Sequence, residues 1–303
     1  MREIISLAGR NLKIYLRDRS AVFFSLLSAI IVIVLMLVFL GDMNINAITS
    51  TLEEFGREVT DETKSNAQLF VIMWTVGGIL CVNGVTVASM LTSVMIDDSK
   101  YGRIQAFRTS PLSRTKLSLG YIVSSWTASM IICLVTLVIA EVFAGVNGAA
   151  LPNVSEHFLL LGMLAVNCLT YAGLMYFCGL FIRTPSAWSG FSTLIGTLVG
   201  FLGGIYIPIG SLPEGVQTVL KCLPVLHGCS MFRNVLTRAS LEKTFEGVPE
   251  TAVDDYKEVM GITTSFGETT LTWQIQLAIL GICGIIFIAV GVLISRKRYK
   301  SDR

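Results

Sequence analysis

Residues 69–96 read LFVIMWTVGGILCVNGVTVASMLTSVMI, a run without one charged side chain. About 20 residues of helix cross a hydrocarbon core about 30 Å thick, so this run is long enough to span a membrane. It stops at residues 97–118, DDSKYGRIQAFRTSPLSRTKLS, which carry five basic residues (Lys100, Arg103, Arg108, Arg114 and Lys116), two acidic ones and the helix-breaking Ser110-Pro111. A second apolar run, Leu119–Phe143, follows at once. Val22–Leu40, Phe158–Ile182 and Gln276–Ser295 are comparable, and Ala187–Ile207 is uncharged but rich in Gly, Ser and Thr, which makes a sixth expected span. Arg183-Thr-Pro-Ser186 separates it from the span before, a short turn closed by a proline that ends the preceding helix.

Composition agrees. The chain is 53% hydrophobic and 15% charged, with a mean hydropathy of +0.69, whereas soluble domains are about 25% charged. The expected fold is an all-α integral membrane protein with six transmembrane helices, an N-terminal amphipathic interfacial helix and a re-entrant external helical segment. Residues 1–303 form one transmembrane domain in this reading.

Lys and Arg set the orientation. With an internal N-terminus, residues 1–21, 97–118, 183–186 and 296–303 hold 16 of the 23 basic residues, while acidic residues concentrate in 41–68 and 208–275. Both termini are therefore expected in the cytoplasm of a multi-pass plasma-membrane protein. The net charge of +2 averages two faces of opposite sign and points to no nucleic-acid partner. Val22–Leu40 is longer than a secretory core and lacks a small-residue cleavage pattern, so it is expected to remain as a span.

Residues 1–21 set Ile4, Ile5, Leu12, Ile14, Tyr15 and Leu16 against Arg10, Lys13, Arg17 and Arg19, which suits a helix on the cytoplasmic surface, or simply inside-positive anchoring. A short helix is expected around Thr51–Val59. In 208–275, Pro208 to Leu236 is apolar but broken by Pro213 and Pro224, and reads as short helices dipping into the outer leaflet under cover of protein. Thr237–Thr272 is polar and reads as a water-exposed cap.

Catalytic chemistry finds no carrier. The sequence has no phosphate loop of the form G-x-x-x-x-G-K-[ST], no nucleophile elbow and no metal-ligand spacing around His157 or His227. No cofactor or metal is expected on this chain, and work that needs ATP must draw on a partner. Five cysteines (Cys81, Cys133, Cys168, Cys178 and Cys283) fall inside spans as small apolar side chains. Cys222 and Cys229, two helical turns apart, are too distant to bridge without a bend. Ionisable residues are almost absent from the spans, with Glu141 at one outer end; this disfavours an ion-driven pump.

Neutral polar residues do occur there: Asn83 and Thr86, then Asn167, Thr170, Tyr171 and Tyr176, then Ser189, Ser192 and Thr193. Helix-to-helix hydrogen bonding explains each singly, and an amphipathic path explains them jointly. Ser192, Gly196, Gly200 and Gly204 recur every four residues, a stripe open to close helix approach, expected to pack on the preceding span. In the 97–118 insert, Tyr101, Ile104 and Phe107 recur at i, i+3 and i+6 beside Lys100, Arg103 and Arg108. An amphipathic turn ended by Ser110-Pro111 is what a docking surface needs, aromatic anchors filling a pocket and charges orienting it.

Six spans with both ends inside, the amphipathic N-terminal helix, the Gly102-Arg103 to Ser110-Pro111-Leu112-Ser113-Arg114 loop, and the Leu223-Pro224 to Phe232-Arg233-x-x-Leu236 segment together resemble the membrane subunits of the type-2 family of ABC exporters. The resemblance covers essentially the whole length. It implies a permease that pairs with a second copy, as homodimer or similar heterodimer, in a bacterial membrane. It also implies two copies of a cytoplasmic ABC ATPase subunit, which would hold ATP and Mg. The N-terminal helix and the insert would contact the ATPase through Lys100, Tyr101, Gly102, Arg103, Ile104, Phe107, Arg108, Ser110 and Pro111. The path would run between the permeases along the second and fifth spans, past Asn83, Thr86, Ser192, Gly196 and Gly200. Drugs, antimicrobial peptides and lipid-like amphipathic molecules are the implied cargo. The alternatives are a non-transport assembly or immunity factor that binds a peptide through Glu242–Glu258, and a gradient-driven carrier that depends on Glu141.

Overall fold

The structure is a computed structural model that describes residues 1–35, 41–109, 112–147, 152–267 and 269–301. Its axis is α4, Asp61–Lys100, a single helix of 40 residues. At 1.5 Å per residue it is about 60 Å long, twice the hydrocarbon thickness, so both ends project beyond the apolar run. Thr60 caps it by accepting from the Thr63 amide, Asp61 and Glu62 lie in its first turn and Lys100 in its last, the arrangement that suits the helix dipole.

Around α4 stand α6 (Arg114–Val146), α7 (Val154–Gly179), α8 (Pro185–Leu202) and, beyond α7, α13 (Trp273–Ser301). Caps explain where they start: Ser113 accepts from the Lys116 amide, Asn153 and Glu156 form a capping box, and Thr184 accepts from the Ala187 amide ahead of Pro185 at the first turn. Among the described residues α4, α6, α7 and α13 are the four helices long and apolar enough to cross a membrane. In the most apolar part of α4 72% of residues are buried, against 17% for α13, which puts α4 at the centre and α13 at the rim.

One end of the bundle carries α1 (Arg2–Arg17) and the short α5 (Arg103–Thr109). The opposite end carries α3 (Gly41–Glu54), a 3-10 turn at Ile209–Ser211, α9 (Glu214–Lys221), α10 (Pro224–Leu236), α11 (Arg238–Thr244), α12 (Glu250–Val259) and a two-stranded hairpin of β1 (Thr264–Phe266) with β2 (Thr269–Leu271). This cap has its own apolar centre, with Ile48 and Leu52 of α3 fully buried among Phe70, Trp74, Leu241, Phe245 and Ile262. Between the two ends runs α2, Arg19–Leu35. The rest of the first expected span, Met36–Leu40, lies outside the described residues.

Several sequence expectations change. The helix placed around Thr51–Val59 is α3, which ends at Glu54, with Gly56 in the left-handed region at φ +75°. The helix expected over Ala187–Ile207 stops at Leu202, because Gly204 turns the chain at φ +61°. The glycine row is therefore interrupted, and it does not pack on α7: α8 lies mainly against α4, held by the Ser89–Ser192 hydroxyl contact at 2.7 Å and by Trp188 Nε1 donating to the Ser89 carbonyl at 3.1 Å. The close glycine seam is elsewhere, between α7 and α13. There a Cβ on Gly173 would stand 2.7 Å from Ile288, and one on Gly284 would stand 2.9 Å from the Thr170 hydroxyl. Small hairpin strands also depart from an all-helical chain, though only within the cap.

Candidate functional site

The α1 and α5 end is organised by Asp98. Leu91, Met95 and Asp98 follow i, i+4, i+7 on α4, so the carboxylate continues a buried face and is fully buried itself. Charge is costly there unless paired and hydrogen-bonded. Arg10 of α1 supplies a bidentate fork, NH1 to Oδ2 at 2.5 Å and NH2 to Oδ1 at 2.8 Å. Tyr121 of α6 donates its hydroxyl to Oδ2 at 2.8 Å, and Arg103 of α5 reaches Oδ1 at 3.4 Å. The Arg10 guanidinium, whose pKa is raised chiefly by its hydrogen bond to Asp98, also sits 5.6 Å over the Phe107 ring of α5. One carboxylate thus joins four helices.

Further contacts hold α1 down. Leu7 fills the space over Gly120, where a Cβ would stand 2.4 Å from its Cδ2, and buried Asn11 donates to Ser124 at 3.4 Å. Lys116 and Glu3 pair at 2.6 Å, and Tyr15 meets Ser25 of α2 at 3.0 Å. These contacts use one face of α1 and leave Ile5 and Leu16 exposed on another.

The insert is folded differently from its expected amphipathic turn. Lys100 ends α4, Tyr101 is the cap residue that follows and is 64% exposed, and Gly102 at φ +72° turns the chain before α5 begins at Arg103. Tyr101 is therefore off the helix that carries Ile104 and Phe107. Ile104 and Phe107 are half-buried, with Phe107 packed against the main core. Arg108 is described through its backbone in α5, and Ser110 and Pro111 lie outside the described residues.

Asp97, one residue earlier, faces about 100° away from Asp98. With Thr86, Ser89, Met90, Ser93 and Val94 it lines an open cavity of about 550 Å³ between α4 and α8, flanked on its other side by Ile14 and Tyr15 of α1 and by Asp18 and Ala21. From α8 come Trp188, Ser189, Ser192, Thr193, Ile195 and Gly196. The structure thus brings together Thr86, Ser192 and Gly196 of the expected path. Asn83 turns into the α4–α6 contact, donating to Thr136 at 3.0 Å, and Gly200 is covered by the Tyr206 ring.

At the cap end, Arg233 of α10 is fully buried. Its Nε donates to the Trp74 carbonyl at 3.3 Å and its NH2 to the Gly204 carbonyl at 3.0 Å, while the guanidinium lies 4.2 Å over the Trp74 ring. Burial pushes its pKa down to about 10, so it stays charged at neutral pH. Cys229 is fully buried beside Gly203 and Cys222 is exposed, both as free thiols.

Sequence reasoning overlooked Asp98 and Tyr121 and the roles of Arg10 and Arg233. For Asp98 a signal was present, an acidic residue in phase with a buried helix face at the C-terminal end of a span, next to the basic insert. Nothing local marks Tyr121 as its partner.

Comparison with curated proteins finds no match. A family model described as ABC-2 family transporter protein matches residues 43–293, from α3 to near the end of α13. This multi-pass membrane permease belongs to the ABC-2 transporter family.

Proposed function

We propose that the chain is the membrane subunit of an ATP-driven exporter, working as a permease dimer with two copies of a separate ATPase bound at the α1 and α5 end. The observation that carries this reading is the Asp98 hub. An ATPase that moves α5 would pull on Arg103 and Phe107, and through them on Asp98, Arg10 and Tyr121, so that α1, α4 and α6 shift with it. Because α8 is clasped to α4 at Ser89 and Ser192, the displacement reaches the cavity wall. Exposed Tyr101, Arg103 and Ile5 offer the docking surface.

The same reading takes six passes, both termini in the cytoplasm and a bacterial plasma membrane. Geometry supports the count: α2 joins the α1 end to the cap end, and α8 runs back between the same two levels, although both are shorter than the four long spans. Amphipathic drugs, peptides or lipids remain the proposed cargo.

The test is co-expression with a candidate ABC ATPase subunit. Phe107→Ala with Arg108→Glu is expected to release or uncouple the ATPase. A complex that stays intact and fully active after both changes would overturn the docking site.

A further inference from the structure

The cavity between α4 and α8 has a directional chemistry. Thr86 donates its hydroxyl hydrogen to the Val82 carbonyl at 3.1 Å, Ser93 to Met90 at 2.6 Å and Thr193 to Ser189 at 3.0 Å. With those hydrogens committed to their own helices, the three oxygens present lone pairs to the cavity. Asp97 and Asp18 stand at the α1 end of the same space, and among the described residues the lining contains no Lys, Arg or His, although Arg17 and Arg19 flank Asp18 in sequence. The remainder of the wall is apolar, from Ile14 and Ala21 to Met90, Val94 and Ile195, with a methionine able to adapt to varied shapes. A volume of about 550 Å³ is that of a small-molecule site.

We infer that this cavity is the binding site for a cationic amphiphile, its positive charge or N–H donors between Asp97 and Asp18 and its apolar body against Met90, Val94 and Ile195. The inference narrows the cargo class of the exporter reading and rests on it. An anion of the same shape would meet these lone pairs and two carboxylates, with no cationic side chain among the described lining residues to offset them.

Tetraphenylphosphonium and tetraphenylborate, alike in shape and opposite in charge, test it by equilibrium dialysis against the full chain in nanodiscs of zwitterionic phosphatidylcholine. Saturable binding is expected for the phosphonium alone. Asp18→Asn with Asp97→Asn, which keeps side-chain shape and the cap that Asp18 gives the Ala21 amide, is expected to weaken it about tenfold, as loss of one exposed and one half-buried charge implies. Gly196→Leu, at a position where a Cβ meets nothing within 4 Å, is expected to fill the cavity and abolish binding without touching either charge. Equal saturation by both ions, or phosphonium binding that neither variant changes, would overturn the proposal. If phosphonium binds as described while the reconstituted ATPase complex exports nothing, the site stands and the exporter reading falls. Export of other cargo by a complex that does not bind phosphonium gives the reverse.

Discussion

A buried carboxylate such as Asp98 persists only while its partners do. Removing one member of a buried ion pair costs about 3–5 kcal/mol, and the one-third exposure of Arg10 places this pair at the lower end. Asp98→Ala is therefore expected to lower stability by about 3 kcal/mol in denaturant titration and to abolish ATPase stimulation. Asp98→Asn should fold better and still uncouple, since it keeps the shape and loses the charge. His227 provides the pH test. Its Nε2 faces the Lys221 carbonyl at 2.9 Å, which sets the tautomer and leaves Nδ1 bare, and burial holds its pKa below the ordinary 6.5. The unfolded chain then binds more protons below pH 6.5, so the contribution of His227 is fully present above that pH and declines as pH falls toward the folded value. Thermal unfolding from pH 7.5 to 5 should show this decline, and His227→Gln should flatten it; an unchanged slope would count against a buried neutral imidazole.

Elements show how far sequence reading carries. Apolar runs located α4, α6, α7 and α13 because a membrane fixes helix length and burial together. Boundaries set by single residues were less legible. Gly204 could not be recognised as left-handed from a row in which Ser192, Gly196 and Gly200 keep helical spacing, and the true glycine seam needed Thr170 and Ile288 in place to be seen. The candidate site divides in the same way. Thr86, Ser192 and Gly196 were foreseeable from polarity within spans, but Asn83 has the same polarity and meets Thr136 instead, a choice made by helix rotation. The seat of α1 rests on Gly120 beneath Leu7. Gly120→Val should strain that contact by about 1–3 kcal/mol and lift α1, read as faster proteolysis within residues 1–17 with the bundle intact.

At the scale of the molecule, two ends built on one strut suggest opposite membrane faces. Ser50 on α3 and Ser186 at the start of α8 are both exposed. In a Cys222→Ser background, Ser50→Cys should react with an impermeant maleimide on intact cells and Ser186→Cys only after permeabilisation. Labelling of both from one side would exclude six passes. Arg233 binds the cap to this strut. Arg233→Ala opens a cavity and removes the guanidinium donors from the Gly204 and Trp74 carbonyls, an expected loss of about 3–5 kcal/mol in unfolding experiments. Arg233→Lys should recover little of it, since an ammonium cannot fork between two carbonyls and stack on Trp74.

The unbroken course of α4 has a consequence in angle. Trp74, under Arg233, and Asp98, under Arg10, belong to one helix without proline, so their bearings around its axis are locked to each other. One residue deleted between them would turn Asp98 by about 100° to the bearing of Asp97, setting its carboxylate toward the cavity and bringing Ser99 opposite Arg10 in its place. Seven inserted residues return to nearly the starting bearing, within about 20°, while pushing the two ends about 10 Å further apart. The protein should thus bear a change in the length of its strut better than a change in phase.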